Sequence, residues 1–219
     1  MNLQFTLDFL KELALNNSKE WMDDNKKRYQ EAKQQVIELV SEVIHQMQDI
    51  DASLTGIDPR KTLFRINRDI RFSNNKDPYK TNFGAFLVEG GRQSGNPGYY
   101  MHIMPSNNFI GGGIYQPSPE TLQKVRQEID YNGNEIRQII EKKEFVKIYP
   151  KPFDEDKLKT APRGYPKDHE NLDLLQLKHY VFMRSVTDDE LLSDNFIEKV
   201  VESFTALYPF NQFLQRAIE

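Results

Sequence analysis

A chain of 219 residues with net charge −4 and 38% hydrophobic residues, including 14 Phe and 10 Tyr, can bury one sizeable core, and a single domain over 1–219 is expected. The absence of cysteine excludes disulfides, thiol nucleophiles and thiolate metal sites, leaving His, Asp and Glu as the only donors for any metal. Apolar runs fall far short of the roughly 20 residues of a membrane helix and the N-terminus lacks a signal-peptide pattern, so no membrane partner and a cytoplasmic location are expected.

Charge is unevenly spread. Residues 1–59 carry 6 Lys and Arg against 11 Asp and Glu, residues 60–104 carry 8 against 3, and residues 105–219 carry 15 against 19. The basic island is small for a protein that binds duplex DNA through counterion release. Its size suits a small anionic ligand or an internal acidic partner better, and nucleic acid is not the favoured partner.

In chain order, Thr6 is placed to cap a helix over 7–15, which Asn16, Asn17 and Ser18 break. Ser18 caps a long second helix over 19–49, with Val36, Leu39, Val40, Val43, Ile44 and Met47 on one stripe. A Gly- and Pro-containing loop over 51–59 leads into a strand over 63–73. Further strands are expected over 83–88, 99–104 and 109–115, the last carrying Gly111, Gly112 and Gly113, whose lack of side chains marks a bulge or a close ligand approach. Ser118 and Pro119 start a helix over 120–130 that ends at Asn132 and Gly133, and a second helix follows over 135–142. The β-prone residues 145–149 read as a short strand, 157–169 as an ordered loop, 172–177 as a short helix and 180–186 as a strand. A helical tail over 187–216 is interrupted near Pro209. Strands in the middle and helices at both ends predict an α+β fold, a mainly antiparallel sheet covered on one face by N-terminal and C-terminal helices.

Chemistry concentrates in the strand over 63–73. With period-two alternation, Phe64, Ile66, Ile70 and Phe72 point one way while Arg65, Asn67, Asp69 and Arg71 point the other. Two guanidiniums about 7 Å apart repel by about 2 kcal/mol at an effective dielectric of 20, so such a row requires water, carboxylates or an anionic ligand. Arg68 falls on the apolar face and must snorkel or pair.

Several motifs carry a family resemblance: Asn16-Asn17-Ser18-Lys19-Glu20-Trp21 with Asn25 and Tyr29, then Arg68-Asp69-Ile70-Arg71-Phe72-Ser73 with Pro78-Tyr79-Lys80-Thr81-Asn82. To these add Tyr99-Tyr100, Gly112-Gly113 and Pro162-Arg163-Gly164-Tyr165-Pro166-Lys167-Asp168-His169. In this order, over some 150 residues, the chain resembles the domain of unknown function 2461 family of bacterial and fungal proteins. The resemblance implies a single whole-chain domain and brings no established activity with it. Met22, where an aromatic is expected after the tryptophan, and Asn74-Asn75, where a charged pair is more usual, depart from the pattern.

The residues support an anion pocket. Arg65 and Arg71 supply planar forks and Lys80 a point charge, Asp69 orients one fork or acts as a base, and Tyr79 and Asn82 add neutral hydrogen bonds. Arg163, in the Pro-rich loop, is a candidate to close over the same ligand. His102, one strand away, is a candidate proton carrier near neutral pH. The competing account is an internal ion-pair network between the island and the acidic helix around Glu20, Asp23 and Asp24. His169 and His179 with Asp168 match no standard metal spacing, and no metal site is assigned. The glycine run lacks the Lys-Ser/Thr ending of a phosphate loop, and nucleophile-elbow, dinucleotide and zinc-protease signatures are absent, so the cofactor stays unknown. The preferred expectation is a cytosolic domain that binds a phosphate- or carboxylate-bearing ligand, with catalysis left open. The alternative is a non-catalytic interaction domain for an acidic protein or single-stranded nucleic acid, with Tyr79, Tyr99 and Tyr115 as stacking groups.

Overall fold

The computed structural model describes residues 3–71 and 74–219; Phe72 and Ser73, expected at the end of the Arg-bearing strand, lie outside the described residues, as do Met1 and Asn2. Four antiparallel strands, β1 (Phe83–Leu87), β2 (Gly98–Ile103), β3 (Asn108–Ile114) and β4 (Tyr180–Val186), form one sheet in the order β1-β2-β3-β4. With nine helices among the described residues, the fold is α+β. Two compact units divide the chain, one of Met1–Leu87, Tyr100–Ile110 and Ser185–Val201, the other of Val88–Tyr99, Gly111–Arg184 and Glu202–Glu219.

In the first unit, α1 (Gln4–Leu15) and α3 (Lys26–Met47) pack together, and α3 also meets β1. The 3.6-residue stripe explains this: Val36, Leu39, Val40, Val43 and Met47 are buried along α3, and Leu7, Leu10 and Leu13 along α1. Each such side chain contributes about 1.5–3 kcal/mol relative to leaving it in water. Thr6 does not cap α1, which starts earlier; its hydroxyl is buried and donates to Gln35 Oε1 at 2.7 Å on α3. The expected single helix over 19–49 divides into α2 (Lys19–Asp24), capped by Ser18 as expected, and α3. The break is Asn25, whose side-chain amide takes the Trp21 carbonyl at 2.9 Å in competition with the backbone ladder. Pro59–Thr62 forms a short α4, with Asp58 accepting from the Arg60 N–H.

The largest correction falls on residues 63–71, which form no regular strand. Two isolated antiparallel bridges hold the segment, Leu63 to Ala85 and Asn67 to Tyr79. Between them the first limb has three residues and the second five, so the ladder cannot run through. The excess is taken up by a bend at Thr81 and Asn82, which acts as a bulge and re-aims the side chains around it. Alternation is lost with the ladder: Leu63 and Ile66 are both buried, whereas Phe64 is 39% exposed.

In the second unit, α5 (Pro119–Ile140) begins with Ser118 accepting from the Thr121 N–H at 3.1 Å and Pro119 in the first turn. The two helices expected here follow one another within this span, separated at Asn132 by a kink whose φ of −122° and ψ of 34° are non-helical. Residues 143–148 form a helix, α6 (Lys143–Ile148), instead of the expected strand. Phe145 and Tyr149, four residues apart, are buried with ring centroids at 5.4 Å, while Val146 is exposed, so the burial has helical spacing. After α7 (Leu172–Leu175) and β4, the chain returns to the first unit for α8 (Asp188–Leu192). Next comes α9 (Phe196–Ile218), which runs through Pro209 where an interruption was expected. Phe204 and Phe210 of α9 meet Tyr99 and Phe182 at 4.9 and 5.1 Å between ring centroids. The glycine run on β3 lets the strand lie close to β4. A Cβ on Gly111 would strike the Phe182 carbonyl and one on Gly113, with φ of +115°, the Tyr180 carbonyl.

Candidate functional site

The island's cations stand on a two-limbed arm of the first unit. Antiparallel bonds Arg68 N–H to Pro78 O at 2.9 Å and Lys80 N–H to Ile66 O at 2.7 Å close its base. Asn17, from the turn before α2, clamps the returning limb: its Nδ2 donates to Tyr79 O at 3.0 Å and its Oδ1 accepts from Tyr79 N–H at 3.1 Å. That reciprocal pair explains why an Asn precedes the Ser18 cap. Beyond the base, Arg71 and residues 74–77 are exposed.

Asp69 and Arg71 form a bidentate pair, Nε to Oδ1 at 2.9 Å and Nη2 to Oδ2 at 2.7 Å, with the Arg71 side chain 75% exposed. The Arg71 hydrogen bonds, with a further contribution from the Arg65 charge, hold the Asp69 carboxyl below its usual range. This favours an orienting role for Asp69 over the basic one, since a carboxylate stabilised in its charged form is a weak proton acceptor. Arg68 lies 4.0 Å from Asp77 with 26% of its side chain exposed, the pairing expected of a cation on the apolar side. The arm thus has five cations, Arg65, Arg68, Arg71, Lys76 and Lys80, against Asp69 and Asp77. On the acidic helix, Asp23 pairs with Lys19 at 3.5 Å.

Rings adjoin this arm. Lys80 Nζ lies 5.6 Å from the centroid of Phe64, whose ring meets Tyr100 edge-on at 6.1 Å. Tyr100 in turn lies 5.6 Å from Phe109, and Phe109 stacks on His102 at 4.5 Å with 12° between planes. Tyr100 and His102 alternate on β2 with Tyr99, Met101 and Ile103, which are buried on the opposite face; Tyr100, His102 and Phe109 are half-buried. Gly84 makes room on the neighbouring strand, since a Cβ there would stand 2.6 Å from the Tyr100 hydroxyl oxygen. The result is a continuous, partly exposed ring surface with an ammonium at one end.

Two groups meet His102 Nδ1, the Tyr100 hydroxyl at 3.1 Å and the Asn82 amide Nδ2 at 3.5 Å, the second delivered by the bulge. The amide N–H can only donate, which assigns Nδ1 as the acceptor, places the hydrogen on Nε2 and makes the hydroxyl a donor as well. Burial lowers the imidazole from 6.5 to about 4 and raises the Tyr100 phenol to about 12. Both groups are consequently neutral at pH 7. This does not suit His102 to carry protons near neutrality, but it makes the ring a fixed hydrogen-bond donor through Nε2.

The remaining candidates differ in burial and in the unit that carries them. Tyr79 is buried, so it contributes to the arm through its backbone, and Tyr99 is buried as well, which removes both from the stacking role. Tyr115 is 60% exposed but belongs to the second unit, as does the exposed Arg163. His169 bonds Asp130 at 2.8 Å and His179 bonds Asp156 at 3.3 Å. Each accepts a backbone N–H on Nδ1, from Asn171 and Gln116, which marks both as structural. No group of three or more His, Asp or Glu with metal-holding geometry occurs among the described residues. A cleft of about 360 Å³ in the first unit is lined by residues including Ser106, Asn108, Thr187 and Asp188. There Asp188 Oδ1 already accepts from the Ser106 N–H and from Asn108 Nδ2, which fixes a turn. The sequence pattern missed Phe64, Tyr100 and Phe109; the one signal for them was the Tyr100, His102 spacing on β2. No helix among the described residues is long and apolar enough to cross a membrane.

The family model described as "Conserved hypothetical protein (DUF2461)" matches residues 5–213. No curated protein and no solved structure matches the chain.

Proposed function

From a chain that belongs to this family of conserved hypothetical proteins, we propose a cytoplasmic binding protein for a small phosphate- or carboxylate-bearing ligand, held by Arg65, Arg71 and Lys80. The observation that carries the reading is the position of Lys80, whose ammonium lies over the Phe64 ring at the point where the cationic arm meets the open ring surface. Arg71 presents a guanidinium already oriented by Asp69, so less side-chain entropy is lost when an anion joins it. Asn82 and His102 add neutral polar groups beside the rings. The exposure of Arg71 and its pairing with Asp69 favour this account over a network with the acidic helix.

Thermal unfolding of the whole chain with inorganic phosphate, phosphate esters and dicarboxylates tests the proposal. A ligand at a hundred times its dissociation constant stabilises by about 2.7 kcal/mol, and the shift should vanish in Arg71→Ala and Lys80→Met. No shift with any anion, or shifts that persist in both variants, overturns the arm as the binding element.

A further inference from the structure

We infer that the anion's carrier is a planar heteroaromatic ring, as in a mononucleotide, seated against Phe64 and Tyr100 with an acceptor atom on its edge meeting the Nε2–H of His102. The inference rests on the anion reading above and adds to it the chemistry of the other half of the ligand.

Three observations converge. First, the cation and the rings are contiguous: Lys80 Nζ is 5.6 Å from the Phe64 centroid and Phe64 is 6.1 Å from Tyr100, so a phosphate at Lys80 places its substituent over rings. Phe64 is 39% exposed although the sequence pattern assigns it to the core, and a partly exposed aromatic side chain beside a cation suits contact with another π system. Second, the hydrogen-bond arrangement at His102 leaves one directional donor. Nδ1 is taken by Tyr100 and Asn82, and Nε2–H has no partner among the described residues. A neutral imidazole in a fixed tautomer recognises a ring nitrogen or carbonyl; it does not recognise the anion itself, which would favour an imidazolium. Third, the charge is local. Positive residues cluster on the arm, whereas the far end of the ring surface consists of His102 and Phe109, which offer no charge to successive phosphates at neutral pH. A monomer fits that charge distribution and a polynucleotide does not.

Titration calorimetry on the full chain compares inorganic phosphate, ribose 5-phosphate, a nucleoside, purine and pyrimidine nucleoside monophosphates, and oligothymidylate, with parent, Phe64→Leu and Lys80→Met. The expected result is a nucleoside monophosphate bound at least tenfold more tightly than ribose 5-phosphate, with Phe64→Leu abolishing that ratio and Lys80→Met weakening both phosphates. Nitrogen-15 spectra of His102 should show the Nε2–H signal moving with the nucleotide and staying put with inorganic phosphate. Urea midpoints of both variants establish that they fold. Equal affinity for ring-bearing and ring-free phosphates overturns the inference while the anion reading stands; no binding of any phosphate or carboxylate removes both. Oligothymidylate that binds more tightly per nucleotide, with a salt slope of several charges, overturns the monomer in favour of a single strand.

Discussion

The hydroxyl of Tyr100 lies 3.1 Å from Nδ1 of His102, and because the Asn82 amide at the same nitrogen can only donate, Nδ1 is the acceptor and the hydroxyl donates to it. This bond joins two residues two positions apart on β2 into a single polar unit within an otherwise aromatic surface. Removing the hydroxyl in Tyr100→Phe should cost about 1 kcal/mol, the ordinary net worth of a hydrogen bond, without unfolding the chain. Because the bond stabilises the neutral imidazole, His102 should also become easier to protonate. Urea denaturation reads the first effect and NMR titration of the ring the second; an unchanged imidazole titration would contradict the assigned bond.

His102 should stay neutral at pH 5 and protonate near pH 4, since burial lowers it from 6.5 to about 4. Between those values the unfolded chain binds the proton and the folded chain does not. The associated stability is full above pH 6.5 and is lost as pH falls through 4. Comparison of urea midpoints between pH 7 and 4 in the parent and in His102→Gln isolates this contribution from the carboxylates, and the variant should lose less.

Two glycine substitutions should behave differently. In Gly84→Ala the new Cβ meets only the outer end of the Tyr100 side chain and no backbone, so the fold should tolerate it at about 1 kcal/mol while the Tyr100 ring moves and the His102 signals shift. In Gly113→Ala the Cβ meets the Tyr180 carbonyl at a φ of +115°, and a loss of about 2 kcal/mol or more is expected. Thermal melts of the pair, with near-ultraviolet circular dichroism for the tyrosine, check both.

Asn17→Ala removes both bonds to the Tyr79 backbone and should cost about 2 kcal/mol. Amide exchange localises the loss: the N–H groups of Arg68 and Lys80, which close the base of the arm, should exchange faster, while those of α3 keep their protection.

What the sequence revealed and what it hid divide along physical lines. Local signals were legible. Ser18 and Ser118 cap the helices they announce, Pro119 sits in a first turn, and the α3 stripe is buried as spaced, because capping and amphipathic burial act within a few residues. The strand cores over 83–87 and 180–186 also fell where β-prone runs placed them. The arm departs from the alternation of its residues because its geometry depends on a partner limb. A bulge at Thr81 and Asn82, invisible in residues 63–71 themselves, destroys their alternation and turns Phe64 outward. Residues 143–148 show the same limit, since β-prone residues became helical where Phe145 and Tyr149 could be buried together. At the candidate site, the cations were legible as a composition shift. The rings beside them were not, because they come from three separated segments that only the sheet brings together.

The bulged arm has a consequence for how copies of this chain meet. In a sheet of four strands the outermost backbones offer unpaired N–H and C=O groups, a template for edge-to-edge aggregation. Here β1 is flanked through Leu63 and Phe64, which bond Ala85 and Gly84 before the slipped register and the charged limb turn the segment away. On β4, Pro152 bridges Phe182, and the Phe153 N–H takes the Val181 carbonyl. Each outer strand is therefore occupied by a short, irregular stretch that a second molecule cannot easily extend. The arm that carries the cations is thus also a guard against intermolecular strand pairing, and changes that straighten it should cost solubility before they cost stability.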